Sequence, residues 1–222
     1  MDEVFTQESK KSLITNKDFN FDGAETVKIF KVSTAEMNDY GRRGATGGNW
    51  SRYGAIQDLD DTTETMTLKK DRSFTFAIDT LDKDETARTL EAASALARQI
   101  REVVIPEVDT YVYNVMTSNA GTKAAAVALT KTNIYEKILD ASKTLDDALV
   151  PETGRVLIVT PDVYRIMKQN NEIVLNTDVG EDMRIKGVIG NLDGATVIKV
   201  PESRLPEHFG FMLCHPCATV CP

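Results

Sequence analysis

The chain has 222 residues, enough for one large or two small domains with a core of their own. Acidic side chains outnumber basic ones by 34 to 26, a net charge of −8, which argues against a surface built to grip phosphate backbones. No apolar run approaches the roughly 20 residues needed to cross a bilayer and no apolar stretch follows a basic start, so a soluble protein made in the cytoplasm is expected.

Residues 1–18 are polar and charged, with too little apolar content for a core element, and read as an extended arm. Asp22-Gly23 marks a turn. Thr26 to Ser33 reads as a strand whose imperfect alternation (Val27, Ile29, Phe30, Val32) suits burial on both faces. The tract from Tyr40 to Gly54 interleaves glycines with Arg42, Arg43, Trp50, Arg52 and Tyr53 and is the most loop-like part of the chain. The acidic string from Asp58 to Glu64 lacks the spaced ligands and central glycine of a calcium loop and reads as a solvated loop. Beyond it, Thr62 to Leu68 and Ser73 to Asp79 are strand-like runs around the polar cluster Lys69 to Arg72, which suggests a hairpin or a bent strand.

A long Ala-rich helix follows. Asp82 stands three residues before Glu85, a capping-box pattern that satisfies free amides of the first turn. Ala87, Leu90, Ala93, Ala97, Ile100 and Val104 then recur every three or four residues, so a thin stripe is expected to face a core formed with Phe74, Phe76 and Ile78, with Arg88, Glu91, Arg98 and Arg101 in water. Pro106 should kink or end this helix. Glu107 to Asn119 is a second helical stretch, with Val108, Val112, Val115 and Met116 on one side and Asn119-Ala-Gly121 as its C-terminal cap. Thr132 to Ala148 is helical again, through Ile134, Ile138, Leu139 and Leu145, with Leu149 beyond. Arg155 to Val159 is a short buried strand, Thr160-Pro161 a cap with proline at the first helical position, and Asp162 to Gln169 the helix behind it. A loop spans Asn176 to Glu181. Asp193-Gly194 turns into the strand Thr196 to Val200, and Phe209 to Val220 is a last alternating strand. A long helix first and a mixed sheet with short helices second make an α+β chain with segregated parts.

Motifs for chemistry are missing: there is no phosphate-cradling Gly-rich loop, dinucleotide fingerprint, nucleophile elbow or paired-histidine zinc helix. The sharpest chemical candidate is the tail, which holds both histidines and the cysteines Cys214, Cys217 and Cys221. Cys214-His215-Pro216-Cys217 has the spacing of a zinc half-site and of a thiol redox pair. In a strand, however, Cys214 points opposite to His215, Cys217 and Cys221, and the favoured reading is small buried packing residues. Arg42, Arg43, Trp50, Arg52 and Tyr53 fit single-stranded nucleic acid, a mobile loop or a subunit interface. The interface reading is preferred, because Arg, Trp and Tyr are favoured there and no second basic aromatic patch extends a nucleic-acid track.

The words Val27-Lys-Ile-Phe-Lys-Val, Asp39-Tyr40, Val104-Ile-Pro-Glu-Val-Asp109-Thr-Tyr111 and Gly154-Arg-Val-Leu-Ile-Val-Thr-Pro161, in this order and spacing, resemble the major capsid proteins of tailed bacteriophages and prophages, from about Phe19 to Ala218. The resemblance implies the α+β Hong Kong 97 fold: an N-terminal arm and entry strand over 1–32, an E-loop hairpin and its base over 33–79, a peripheral-domain spine helix over 80–128, a mixed-sheet axial domain over 129–213, and the start of a return strand over 214–222. It implies a non-enzymatic coat protein without cofactor, self-assembling into pentamers and hexamers of an icosahedral shell around double-stranded DNA. Expected partners are further copies, a separate scaffolding protein and a portal, with only weak non-specific contact with DNA and none with membrane. Its place is the virion capsid, after synthesis in the bacterial cytoplasm.

Three departures from the pattern qualify this. Met1 lies shortly before the arm, so no fused scaffolding segment is expected. The loop tip carries no lysine, the nearest being Lys69 and Lys70, so the isopeptide crosslink of one branch of the family has no evident donor. The chain stops at Pro222, where relatives continue to the peripheral domain; either the sequence is shortened or that shell contact is built differently. An encapsulin-like compartment shell shares the fold and stays open as an alternative, and a metal-binding or thiol-redox protein using the tail is a third.

Overall fold

The computed structural model describes residues 9–18, 26–44, 52–54, 58–77, 92–170, 173 and 188–221. The chain divides into two units, Asn20–Thr75 and Met1–Phe19 with Phe76–Pro222. The capping box at Asp82 and Glu85, the stripe positions Ala87 and Leu90, and the loop at 176–181 lie outside the described residues.

The smaller unit is a two-stranded antiparallel ribbon. Strand β1 (Thr26–Val32) pairs with β2 (Asp61–Thr67) in continuous register from Thr26 opposite Thr67 to Val32 opposite Asp61. The pairing corrects two expectations. The strand at 62–68 finds its partner upstream in β1, and Ser73 to Ala77 form no strand, with Phe74 and Phe76 only half-buried. The acidic string read as a loop overlaps this strand: Asp61 to Glu64 are part of β2, as the strand-like reading from Thr62 required, and its threonines suit the pleated backbone. Burial of β1 on both faces is not realised either: Phe30 and Val32 stay largely exposed.

The larger unit is built on a four-stranded sheet of order β4-β5-β3-β6, with β3 (Val156–Val159), β4 (Val188–Leu192), β5 (Ala195–Lys199) and β6 (Phe211–Cys214). β3 runs parallel to β5 and antiparallel to β6. β4 and β5 form a hairpin closed by Asp193 and Gly194, both at positive φ (47° and 80°), as a two-residue turn matched to strand twist requires. All four residues of β3 are buried, so the sheet is covered on both sides. Val156 and Ile158 face a core with Ile198, Val200, Val112, Tyr113, Met116 and Ile14. Leu157 and Val159 face another, with Val197, Leu192, Ile134, Ile138, Val163 and Met167.

The helices supply the two covers. α1 (Lys11–Ile14) and α3 (Ile105–Ser118) contribute to the first core, α4 (Ile134–Asp147) and α5 (Pro161–Gln169) to the second. α5 starts as expected: the Thr160 hydroxyl accepts the Val163 amide at 3.2 Å and Pro161 opens the first turn. The parts are therefore less segregated than expected, because the long helix packs its C-terminal half directly on the sheet. Ile14 is fully buried and Asn16 bridges to Val220, so residues 9–18 are built into this unit and the reading of a coreless arm is corrected there.

Pro106 does not end the helix. α2 (Ala92–Gln99) passes into a π-turn over Ile100–Val104 and straight on into α3, with the Ile105 amide bonded to the Ile100 carbonyl. Widening the turn upstream accommodates a ring that has no N–H to give and clashes with the carbonyl four residues back. Ala97 and Ile100 are exposed and Val104 half-buried, so at these described positions the expected stripe is not buried. At the other end the Asn119 side chain, not Gly121, caps the helix, donating to the Val115 carbonyl at 2.8 Å.

Near its start α3 carries the most deeply buried charge among the described residues. Asp109 is 1% exposed and accepts from Arg204 Nη1 at 2.8 Å and from Ser9 Oγ at 2.5 Å. Lys10 donates to the Lys199 carbonyl beside it. Burial, then the positive charges of Lys199 and Arg204, hold the Lys10 ammonium below its usual range. Burial and the Asp109 carboxylate push the Tyr113 phenol well above its own. This network ties the N-terminal segment, the long helix and the short 3-10 turn Glu202–Arg204 together.

Candidate assembly surfaces

The ribbon unit is the first candidate surface. Its strands are held by the backbone ladder and by a Lys31–Glu64 ion pair at the surface, which adds little stability. Beyond the strands, the Ser33 amide donates to the Asp60 carbonyl and the Asp60 amide to the Ser33 hydroxyl, each at 2.9 Å. Further out, the Gly41 amide donates to the Arg52 carbonyl at 2.9 Å, and the rings of Tyr40 and Tyr53 meet at 5.3 Å. A Cβ on Gly41 would stand 2.3 Å from the Gly44 carbonyl oxygen, so only glycine closes this turn. The outcome is a shaped tip with Arg42, Arg43, Arg52 and Tyr53 on its surface; Trp50 lies outside the described residues. Phe30, Val32, Met37, Tyr40, Tyr53 and Leu59 are each more than half exposed. Scattered exposed apolar residues are ordinary, but this many in a unit that contributes none of its described residues to a core cluster make it a candidate contact surface.

A second candidate surface was missed in the sequence. Leu96, Ile100, Val103, Tyr111 and Val115 are all substantially exposed along the long helix, at helix-like spacing. The pattern was visible, but periodicity gives a buried stripe without saying which molecule buries it.

The tail does not form a last long strand. β6 ends at Cys214, because Pro216 cannot donate to a ladder, and Pro216–Ala218 make a 3-10 turn capped by His215. The Cys214 thiol is tucked against the sheet, donating to the Val156 carbonyl at 3.6 Å, and burial pushes its pKa up to about 12. His215 places Nε2 3.1 Å from the Thr153 carbonyl and Nδ1 2.7 Å from Cys217 Sγ, while Nδ1 also accepts the Cys217 amide. Cys217 is exposed, a correction to its reading as a buried packing residue, whereas Cys221 is half-buried against the core. Among the described residues, no three His, Cys, Asp or Glu side chains converge as metal ligands. Among them too, no helix is long and apolar enough to cross a membrane.

The family model for phage capsid protein matches residues 60–211, more than half of the chain. The chain belongs to the phage capsid protein family. No curated protein sequence matches it. The fold of this capsid protein is shared with a structure from Mycobacterium phage Che8 at 22% identity and a TM-score of 0.68, covering 98% of this chain and 78% of that one. It is shared with the asymmetric unit of the bacteriophage PhiM1 mature capsid at 14% identity and a TM-score of 0.60, covering 97% and 74%. The capsid structure of the cyanophage P-SCSP1u matches at 15% identity and a TM-score of 0.58, covering 93% and 66%. The capsid protein is thus a structural coat component of the virion.

Proposed function

We propose that the chain is a major capsid protein of the Hong Kong 97 fold, which assembles into pentamers and hexamers of an icosahedral shell enclosing double-stranded DNA. The observation that carries this reading is the ribbon unit, a paired extension with exposed Phe30, Val32 and Tyr53 and, among the described residues, no member of a core cluster. In a closed shell it is the E-loop, laid over a neighbouring subunit, with Arg42, Arg43, Trp50, Arg52 and Tyr53 at the contact. An obligate contact of this kind removes on the order of 2,000 Å² from water. The long helix is the spine of the peripheral domain and the sheet with α4 and α5 is the axial domain. The role is non-enzymatic. A separate scaffolding protein and a portal complete the assembly in the bacterial cytoplasm, and the net charge of −8 suits a container that holds DNA without binding it tightly.

The test is to delete residues 41–53 and examine the product by electron microscopy and circular dichroism. The expected result is a folded subunit that forms no shells. Normal shells from the deletion would remove the ribbon tip from assembly.

A further inference from the structure

Helix α4 ends in a closed cap: Leu149 donates to the Asp146 carbonyl at 2.9 Å and Val150 to the Leu145 carbonyl at 3.0 Å. This motif requires a left-handed residue at its turning point, normally glycine. Leu149 fills it, with φ 57°, and its side chain is 90% exposed. A branched side chain in a left-handed conformation is strained, and an exposed leucine gains nothing within the subunit.

The loop beneath it is pinned by a buried side chain. Arg155 is buried, and its guanidinium donates to the Val150 carbonyl at 2.6 Å and the Pro151 carbonyl at 3.0 Å while pairing with Asp146 at 2.7 Å. That clamp fixes both the end of α4 and the descent into β3, so Leu149 is presented on a preorganised support and little further ordering accompanies a contact.

We propose that Leu149 is an intersubunit anchor that inserts into an apolar recess on a second copy of this chain. The proposal rests on the coat-protein reading. A shell surrounds each copy with further copies, so a feature strained in every subunit is matched to the partner that every subunit meets. Knob and recess are different surfaces, and such a head-to-tail contact closes into rings.

The test uses the full chain with Leu149→Gly, Leu149→Asn and Leu149→Met. Glycine and asparagine accept the left-handed turn, so these two subunits should melt at or above the parent's temperature. Without the apolar side chain, the subunit concentration at which particles appear in light scattering and electron microscopy should rise at least about tenfold. Methionine retains apolar reach and should assemble near the parent's concentration. Assembly of Leu149→Gly and Leu149→Asn at the parent's concentration overturns the anchor and leaves the coat-protein reading standing. A defect seen only when a separate scaffolding protein is added also overturns it, since the partner is then not a second copy. A parent chain that forms no particles with or without a scaffolding protein overturns the assembly reading itself, and the anchor with it.

Discussion

The sheet unit and the ribbon unit use the same residue types to opposite ends. In β3, Val156 to Val159 are all buried between two helical covers; in β1, Phe30 and Val32 are left in water. The difference lies in what surrounds each strand, since Val-Leu-Ile-Val and Val-Lys-Ile-Phe-Lys-Val have comparable preference for extended structure. The sheet is stable by its own packing. The ribbon keeps its shape by backbone pairing, with Phe30 and Val32 left exposed.

That contrast predicts where substitutions are felt. The largest loss should come from Asp109→Ala, which strands the buried Arg204 guanidinium; about 3–5 kcal/mol of subunit stability should disappear in urea titration. Restoring Arg204→Met on that background should recover part of the loss if the stranded charge is its cause. Leu157→Ala opens a cavity in the second core and should cost about 2–5 kcal/mol by the same assay. If it costs under 1, the sheet unit is not the self-sufficient half.

Alkaline pH probes the first core. Tyr113 has its folded pKa raised above the unfolded value and Cys214 likewise, so both contribute stability that is complete below about pH 9 and lost as pH rises through their folded pKa values. The lowered pKa of Lys10 has the opposite sign and softens the fall. Melting temperature should decline above pH 9, and Tyr113→Phe should flatten the part of that decline beyond pH 10. An unchanged slope would place the alkaline loss elsewhere.

The smallest effect on the free subunit belongs to the ribbon. Phe30→Ser and Val32→Thr should change unassembled stability by no more than about 0.5 kcal/mol, yet lower particle yield in electron micrographs. Equal damage to subunit and particle would erase the distinction between the two units.

Legibility in the sequence followed the range of the interaction. The Thr160-Pro161 start of α5, the Asp193-Gly194 turn and the β3 strand were readable, because each is fixed by residues a few positions apart; β4, the other arm of that turn, was not singled out. The partner of β2 was not, since Thr67 pairs with Thr26 across a long loop and nothing in either strand names the other. Nor was the role of Asp109, whose partners Ser9 and Arg204 come from opposite ends of the chain. At the candidate surfaces, Arg42, Arg43, Arg52 and Tyr53 were legible as exposed loop residues, while Leu96 and Val103 were not singled out, and the exposed Ile100 was misread because apolar periodicity looks the same on a core face and on an interface.

The π-turn at Ile100–Val104 has a geometric consequence of its own. An extra residue in one turn offsets the angular phase of all that precedes it by about 100°, since an α-helix advances 3.6 residues per revolution. The wide turn therefore acts as a phase shifter between α3, locked to the sheet by Tyr113 and Met116, and α2, which carries Leu96. Removing one residue there together with Pro106→Ala would restore regular winding and swing Leu96 about a quarter of the way round the axis, re-aiming the upstream helix without touching a residue of the core.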